Sequence, residues 1–379
     1  MGFFDCRSYR YMIEKKTSIP DSLTLHGKVL QKEGLQEYAD ECSGSSEKWK
    51  ADLGQFLTSW LTGGEEIIVK TSGSTGEPKL ISIPKTAMIA SAEASGAFLN
   101  LKAGDTALLC LSASTIAGMM MVVRSMVLKL NLILIPPDGK PCKNIDPEIK
   151  TDFAAMVPAQ VFNCMSDDKG RAYLSNIQKL IIGGGEISAK LEQQLQDLPN
   201  AVYATYGMTE TITHVAMRRV NGKNRSEDFK TLPGIEISTD ERGCLIIHAF
   251  RISDKPLITN DLADITGANT FRWLGRADNI INRGGKKLIP EMIENKLANL
   301  IEFRFIIAAF PDEKYGQVPV LIVESDPIDA NESERLMDLI RQHLPYDEIP
   351  VRLIPVRKFV ETGNGKINRP ATIALLNQT

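Results

Sequence analysis

The sequence predicts an α/β protein with a large N-terminal α/β domain, a small antiparallel β sub-domain within it, and a smaller α+β C-terminal domain. Three observations carry this expectation. Between Thr86 and about Tyr206 short apolar runs alternate with helix-length segments, the pattern of strands joined by helical crossovers in a mostly parallel sheet. After Val220 the texture changes to short alternating runs separated by turn residues, as in hairpins. Beyond Arg276 the order becomes helix, strand, strand, helix, strand, enough for a compact unit.

In chain order, Trp49, Leu53, Phe56, Leu57, Trp60 and Leu61 recur at helical spacing, with Ser45 or Ser46 as candidate N-cap and Gly63-Gly64 as the stop. The strand Ile67-Ile68-Val69 follows. Apolar runs at 108–111, 132–135, 153–157, 180–182 and 202–206 are the alternating strands. The longest apolar stretch, Ala107 to Ile135, is interrupted by Arg124, Lys129 and Asn131 and closed by Pro136-Pro137, which suits a buried strand, helix and strand better than a membrane span. Asp240-Glu-Arg-Gly243 reads as the turn joining Ile235–Ser238 to Leu245–His248, and Thr266-Gly-Ala-Asn269 precedes Phe271–Leu274. A boundary near 276–279 divides residues 1–277 from 278–379. Beyond it a helix (291–300), strands (304–310 and 318–324), a helix (332–343) and a strand (351–356) complete the chain.

With 379 residues, 43% hydrophobic, the chain can bury a full core and is long for one domain. A net charge of −3, with basic and acidic residues interspersed, gives no general attraction to nucleic acid or an anionic membrane. The six cysteines lie far apart without a Cys-x-x-Cys pair, a reduced, cytoplasmic usage. The four scattered histidines suggest neither a zinc site nor a Cys/His dyad. Any metal is expected to be hard and held by oxygen. A homo-oligomer is left open.

The most informative segment is Thr71-Ser72-Gly73-Ser74-Thr75-Gly76-Glu77-Pro78-Lys79, directly after an apolar strand. Gly73 and Gly76 let amide N–H groups turn inward as an anion nest, with Ser72, Ser74, Thr75 and Lys79 adding donors. It is not a Walker loop, since Pro78 separates Gly76 from Lys79, and taken alone it could be a solvated turn. Tyr206-Gly207-Met208-Thr209-Glu210 follows a strand end, where open α/β sheets place ligands. Leu274 to Gly285 spans the boundary, and Thr362 to Arg369 is a Gly-containing loop with one lysine, Lys366.

In this order the four segments resemble the acyl-adenylate-forming superfamily of acyl-CoA synthetases, peptide-synthetase adenylation domains and luciferases, from about Trp49 to Arg369. Within it, the segments 117–124, 156–160, 206–210 and 271–276 look like the o-succinylbenzoate:CoA ligase branch of menaquinone biosynthesis. Seventy residues precede the phosphate loop where the superfamily usually has about twice as many, which implies an abbreviated first sub-domain. Thr259-Asn260-Asp261 replaces a usual Thr-Gly-Asp, and Thr115-Ile-Ala-Gly118 replaces a usual His-Val-Ser-Gly, removing an imidazole from the acyl pocket.

The resemblance implies an enzyme that uses ATP, Mg²⁺ and coenzyme A to activate a small carboxylic acid, with a mobile C-terminal domain. Thr71 to Lys79 would bind the β- and γ-phosphates, Thr209 the α-phosphate, and Glu210 the Mg²⁺. Asp261 would accept the ribose hydroxyls and Arg276 would reach the ribose or phosphates, unless these two form a structural ion pair. Gly183, Gly184, Gly185 and Glu186, with Tyr206 and Gly207, would frame the adenine. Lys366, otherwise an ordinary loop lysine, would bridge the substrate carboxylate and the α-phosphate. Asp278 would be the hinge, and Gly284 and Gly285 would border the path of coenzyme A or form a plain turn. Gly118, Met119 and Arg124 would contact the acyl substrate. Arg124, alone among apolar neighbours, is either a snorkelling surface residue or a buried partner for an anion.

Overall fold

The computed structural model describes residues 18–70, 80–146, 148–361 and 367–376. A hairpin of β1 (Leu23–Leu25) and β2 (Lys28–Leu30) leads to helices α1 (Lys32–Ser43) and α2 (Lys48–Thr62) and a second hairpin, β3 (Glu66–Lys70) with β4 (Leu80–Pro84). After α3 (Lys85–Leu99) strands and helices alternate: β5 (Thr106–Leu109), α4 (Ile116–Leu128), β6 (Asn131–Leu134), β7 (Thr151–Met156), α5 (Pro158–Cys164), α6 (Asp168–Ser175), β8 (Ile177–Ile182), α7 (Ala189–Leu195) and β9 (Ala201–Gly207). Six antiparallel strands follow, β10 (His214–Arg219), β11 (Phe229–Thr231), β12 (Glu236–Thr239), β13 (Cys244–His248), β14 (Leu257–Gly267) and β15 (Thr270–Arg276). The rest comprises β16 (Ile281–Arg283), β17 (Lys286–Leu288), α8 (Pro290–Leu297), β18 (Arg304–Asp312), β19 (Gly316–Glu324), α9 (Ala330–His343), β20 (Leu353–Val356) and α10 (Arg369–Leu376).

Strands β1, β6, β5, β7, β8 and β9 run parallel. Alternate residues face opposite cores: Ala107, Leu109, Phe153 and Ala155 join one, and Leu108, Ala154 and Met156 the other. Burial on both faces is why these strands read as continuous apolar runs. The 107–135 stretch is β5, α4 and β6, as expected, and among the described residues no helix is long and apolar enough to cross a membrane.

The antiparallel strands extend that same sheet, in the order β9, β10, β11, β15, β14, β13, β12. Pairing of β11 with β15 brings Phe229 opposite Phe271. Beyond Arg276 a second sheet, β17-β16-β19-β18 with β20 parallel to β19, carries separate cores on its two faces.

One local expectation is corrected. Neither Ser45 nor Ser46 caps α2: Glu47 is the N-cap residue, and Ser45 Oγ instead accepts the Glu47 N–H at 3.1 Å. Satisfying a donor just ahead of the helix delays its start to Lys48.

Candidate active site

Strand β9 delivers Tyr206 and Gly207 to the carboxyl end of the parallel strands, where the chain turns back as β10. This is the end at which open α/β sheets leave a crevice. The Tyr206 ring lies against Phe229 and Phe271, with centroids 5.8 and 5.1 Å away, and its O–H donates to Asp261 Oδ2 at 2.7 Å. Burial, reinforced by the Asp261 charge, pushes the phenol well above its ordinary range, so it remains a donor. Thr209–Thr211 then form one 3₁₀ turn that leaves Thr209 and Glu210 exposed. The Thr211 carbonyl accepts the Thr213 N–H at 2.7 Å around Ile212, whose φ is 66° and ψ −55°. That is the rare, strained form of the γ-turn, held by a β-branched residue. Gly207 makes room for it, since a Cβ there would stand 2.3 Å from the Thr213 carbonyl oxygen.

Register in the β14–β15 hairpin sets Asp261 opposite Arg276. Arg276 Nη1 lies 3.3 Å from Asp261 Oδ1, and its Nη2 lies 3.0 Å from Asp278 Oδ2. Burial opposes the Arg276 charge, but the two carboxylates outweigh it and raise its pKa. Asp278, in the short turn Ala277–Asn279, also accepts from Asn260 Nδ2, 3.3 Å from each oxygen. The other end of that amide accepts from Arg242 at 3.1 Å. Asn260, where the resembling pattern has glycine, thus ties β14 to the turn that follows β15. Asp261 and Arg276 are an ion pair here; an ionised carboxylate retains acceptor sites beyond the two occupied.

Gly183 to Glu186 follow β8. A Cβ on Gly183 would meet Thr205 Oγ1 at 2.3 Å, and one on Gly185 would meet Pro158 at 3.3 Å, so the segment lies flat against β9 and α5. Gly184 has φ +78°. The Glu186 charge acts on Arg369 of α10 together with Glu294, which Arg369 meets at 2.5 Å.

Helix α4 begins at its N-cap Thr115, whose Oγ1 accepts the Gly118 N–H at 3.3 Å, and is buried from Gly118 through Met126. Arg124 on this helix is 2% exposed. Its Nη2 donates to Thr213 Oγ1 at 3.1 Å, its Nη1 rests 3.8 Å from Met121 Sδ, and its Nε has no hydrogen-bond partner among the described residues. Burial alone lowers its pKa to about 10, which leaves it a cation at neutral pH. The side chain is thus buried rather than snorkelling at the surface, and among the described residues no carboxylate pairs with it. An imidazole lies close by after all: His214, from β10, is buried, and burial with the nearby Arg124 charge holds its pKa well below the ordinary range.

Gly284 and Gly285, with φ of +55° and +86°, turn β16 into β17, and the Gly284 N–H donates to the Tyr315 carbonyl at 2.8 Å. The neighbouring Arg283 donates to the Tyr346 and Asp347 carbonyls and lies over the Tyr315 and Tyr346 rings. Thr71 to Lys79 and Lys366 lie outside the described residues. Among the described residues no group of three or more His, Cys, Asp or Glu side chains is arranged to hold a metal. Sequence reasoning missed Thr213, His214 and Ser95 around Arg124. One visible signal was a histidine opening the otherwise apolar start of β10.

Residues 29–239 match the AMP-binding enzyme family. Among solved structures the chain is similar to an acyl-CoA synthetase (AMP-forming)/AMP-acid ligase II-like protein from Dyadobacter fermentans. The two are 36% identical, with 90% of this chain and 98% of that one covered and a TM-score of 0.62. A 2-succinylbenzoate–CoA ligase of Lactococcus lactis is 23% identical over 363 residues, 90% of this chain and 78% of its own length. The o-succinylbenzoate coenzyme A synthetase (MenE) from Bacillus subtilis, solved with ATP and magnesium ion, shares the fold with a TM-score of 0.69 at 14% identity, over 93% of this chain and 97% of that one.

Proposed function

The chain belongs to the AMP-binding enzyme family, and from that premise we propose that it is an ATP-dependent acid–CoA ligase whose acid is a dicarboxylate, o-succinylbenzoate. The observation that carries the substrate choice is Arg124, a buried cation without a carboxylate partner among the described residues. A buried guanidinium is costly until an anion meets it. An acid with a second carboxylate supplies that anion; a fatty acid or a simple benzoic acid does not. The relative named for 2-succinylbenzoate supports the same reading.

A carboxylate is a poor electrophile, so thioester formation first converts one of its oxygens into a leaving group. The succinyl carboxylate attacks the α-phosphorus of ATP and displaces pyrophosphate. The thiol of coenzyme A then attacks the acyl-adenylate carbonyl and displaces AMP. Both steps concentrate negative charge, so positioned donors and cations do the work, with no protein nucleophile. In this reading Thr71 to Lys79 hold the β- and γ-phosphates, Thr209 donates to the α-phosphate, and Asp261 takes the ribose hydroxyls beside Arg276. The flat Gly183–Glu186 segment and Tyr206 border the adenine. Lys366 neutralises charge between the two reacting groups. Glu210, exposed after β9, would hold Mg²⁺, a hard ion suited to a carboxylate, which would supply charge neutralisation on the phosphates. Residues 278–379 form the smaller domain, turning about Asp278 so that Lys366 leaves and Gly284 and Gly285 approach the pantetheine arm.

The test is AMP release by the full chain with ATP, coenzyme A and either o-succinylbenzoate or 4-phenyl-4-oxobutanoate, which lacks the ring carboxylate. Arg124→Leu should weaken use of the dicarboxylate by about 1.5–3 kcal/mol, or roughly 10- to 150-fold, and use of the monocarboxylate much less. Equal discrimination by both proteins would reduce the assignment to an acid–CoA ligase of another substrate.

A further inference from the structure

Around Arg124 the hydrogen-bond polarity is determined from both ends. Thr213 Oγ1 meets two obligatory donors, Arg124 Nη2 at 3.1 Å and the backbone N–H of His214. These fill the two acceptor sites of a hydroxyl, leaving its single proton for the third neighbour, His214 Nδ1 at 3.1 Å. Nδ1 is therefore an acceptor. At the far side of the ring, His214 Nε2 lies 3.0 Å from Ser95 Oγ, whose own proton goes to the Ser91 carbonyl at 2.9 Å. Ser95 must accept, so Nε2 carries the imidazole proton. The two assignments agree, and they describe a neutral ring of one tautomer in a chain running Arg124, Thr213, His214, Ser95, Ser91.

The chain joins three elements: α4 supplies the cation, β10 the histidine, and α3 the serines. The strained Ile212 turn aims the Thr213 hydroxyl at Arg124, and backbone strain persists only where surrounding contacts hold it. Ser95, Arg124 and His214 are buried. A guanidinium has five N–H donors in a rigid plane, and this arrangement uses one on Thr213 and rests another on a thioether. With one Nη held, and Nε without a partner among the described residues, the remaining donors are kept in a fixed orientation.

We propose that Thr213 and His214 are positioning residues for the acid's second carboxylate: the hydroxyl relay, anchored on Ser95, holds the Arg124 fork in the orientation that receives it. This rests on the dicarboxylate reading of Arg124. A neutral imidazole of fixed tautomer suits the task, because it accepts from Thr213 without adding charge or a competing donor beside the incoming anion. Neither residue touches the reacting carboxyl or the α-phosphate in this scheme, so the effect belongs to acid binding more than to turnover.

The experiment uses the full chain and pairs of variants that fill similar space but keep different bonds. Thr213→Val deletes the hydroxyl, and Thr213→Ser keeps it. His214→Asn places an amide oxygen near the Nδ1 position and can still accept from Thr213; His214→Gln carries its amide one bond further, toward Ser95, and cannot. Thr213→Val and His214→Gln should each raise the KM for o-succinylbenzoate by about 10-fold or more, with smaller changes in kcat, in the KM for ATP and in use of 4-phenyl-4-oxobutanoate. Thr213→Ser and His214→Asn should recover most of that loss. In an Arg124→Leu background Thr213→Val should add little, since the group it positions is gone. The relay is overturned, with the ligase reading intact, if Arg124→Leu discriminates between the acids while Thr213→Val does not, or if Gln serves as well as Asn. If Arg124→Leu itself fails to discriminate, both fall. Spectra of isotope-labelled histidine in the free protein give an outcome independent of turnover: an Nε2–H imidazole is expected, and an Nδ1–H imidazole refutes the relay.

Discussion

The network of Tyr206, Asp261, Arg276 and Asp278 and the site around Arg124 are each built on a guanidinium, and the two are treated in opposite ways. Arg276 is exposed and meets two carboxylates, and every charge in its network has a partner. Arg124 is buried and meets a hydroxyl and a thioether. In the first arrangement the charges already meet within the protein, and a ligand arriving there uses the acceptor sites Asp261 has left. The second lacks a carboxylate among the described residues, and an anion arriving there gains a contact that those residues do not supply. Identity of the acid is therefore expected to be read at Arg124, while the paired network serves a component common to every acid.

The comparison is tested at its largest scale by a residue belonging to neither region. Lys366→Ala should slow adenylation by about 2.7–4 kcal/mol, or roughly 10²–10³ in rate, and equally for the two acids. Thioester formation from pre-made acyl-adenylate should survive. A loss confined to the dicarboxylate would move Lys366 into acid recognition and break the division.

Asp261→Ala removes the acceptor shared by Tyr206 and Arg276, and should weaken ATP use by about 1.5–3 kcal/mol, again without regard to the acid. Combined with Arg124→Leu, the effects should add to within about 0.5 kcal/mol if the regions are independent. Kinetics of the double variant with both acids decide this, and a larger coupling merges the two regions.

Stability sharpens the contrast. Without substrate, Arg124→Leu relieves a buried cation and should leave the protein as stable or stabilise it by roughly 1–2 kcal/mol, whereas Asp261→Leu strands Tyr206 and Arg276 and should lower the melting temperature. A destabilised Arg124→Leu would show that the cation is already satisfied.

The smallest effect concerns pH. The His214 pKa is depressed in the fold by burial and then by Arg124, so the unfolded chain binds a proton below about pH 6.5 that the folded chain refuses. The stability of the neutral ring is complete above that pH and declines as pH falls toward the folded value, by at most about 1.4 kcal/mol per unit. Thermal unfolding of wild type should therefore lose stability more steeply than His214→Asn between about pH 6.5 and 5. Parallel curves would refute a buried neutral His214.

The strands β5 to β9 were legible to within about three residues because both their faces are buried and the apolar runs are uninterrupted. Arg124 was legible as an anomaly, one charge in an apolar helix, but its burial depends on what packs over α4. The bond from Tyr206 to Asp261 was not legible. It requires that β10, β11, β15 and β14 lie side by side, and pairing between strands far apart in the chain leaves no local mark. Thr213 was missed because the turn aiming it pivots on Ile212, where no glycine, asparagine or proline announces a reversal.

From the sequence alone came the alternation that makes the parallel sheet, the hairpin turns and the helix break at Gly63, because each follows from local backbone preference. The tertiary structure decided which charges are paired and which, among the described residues, are not. Asp261 and Arg276 meet through strand register, Arg124 loses its water under α3 and β10, and His214 is held to one tautomer by groups from three elements. Those outcomes depend on dielectric and hydrogen-bond polarity, which arise only when distant segments are brought into contact.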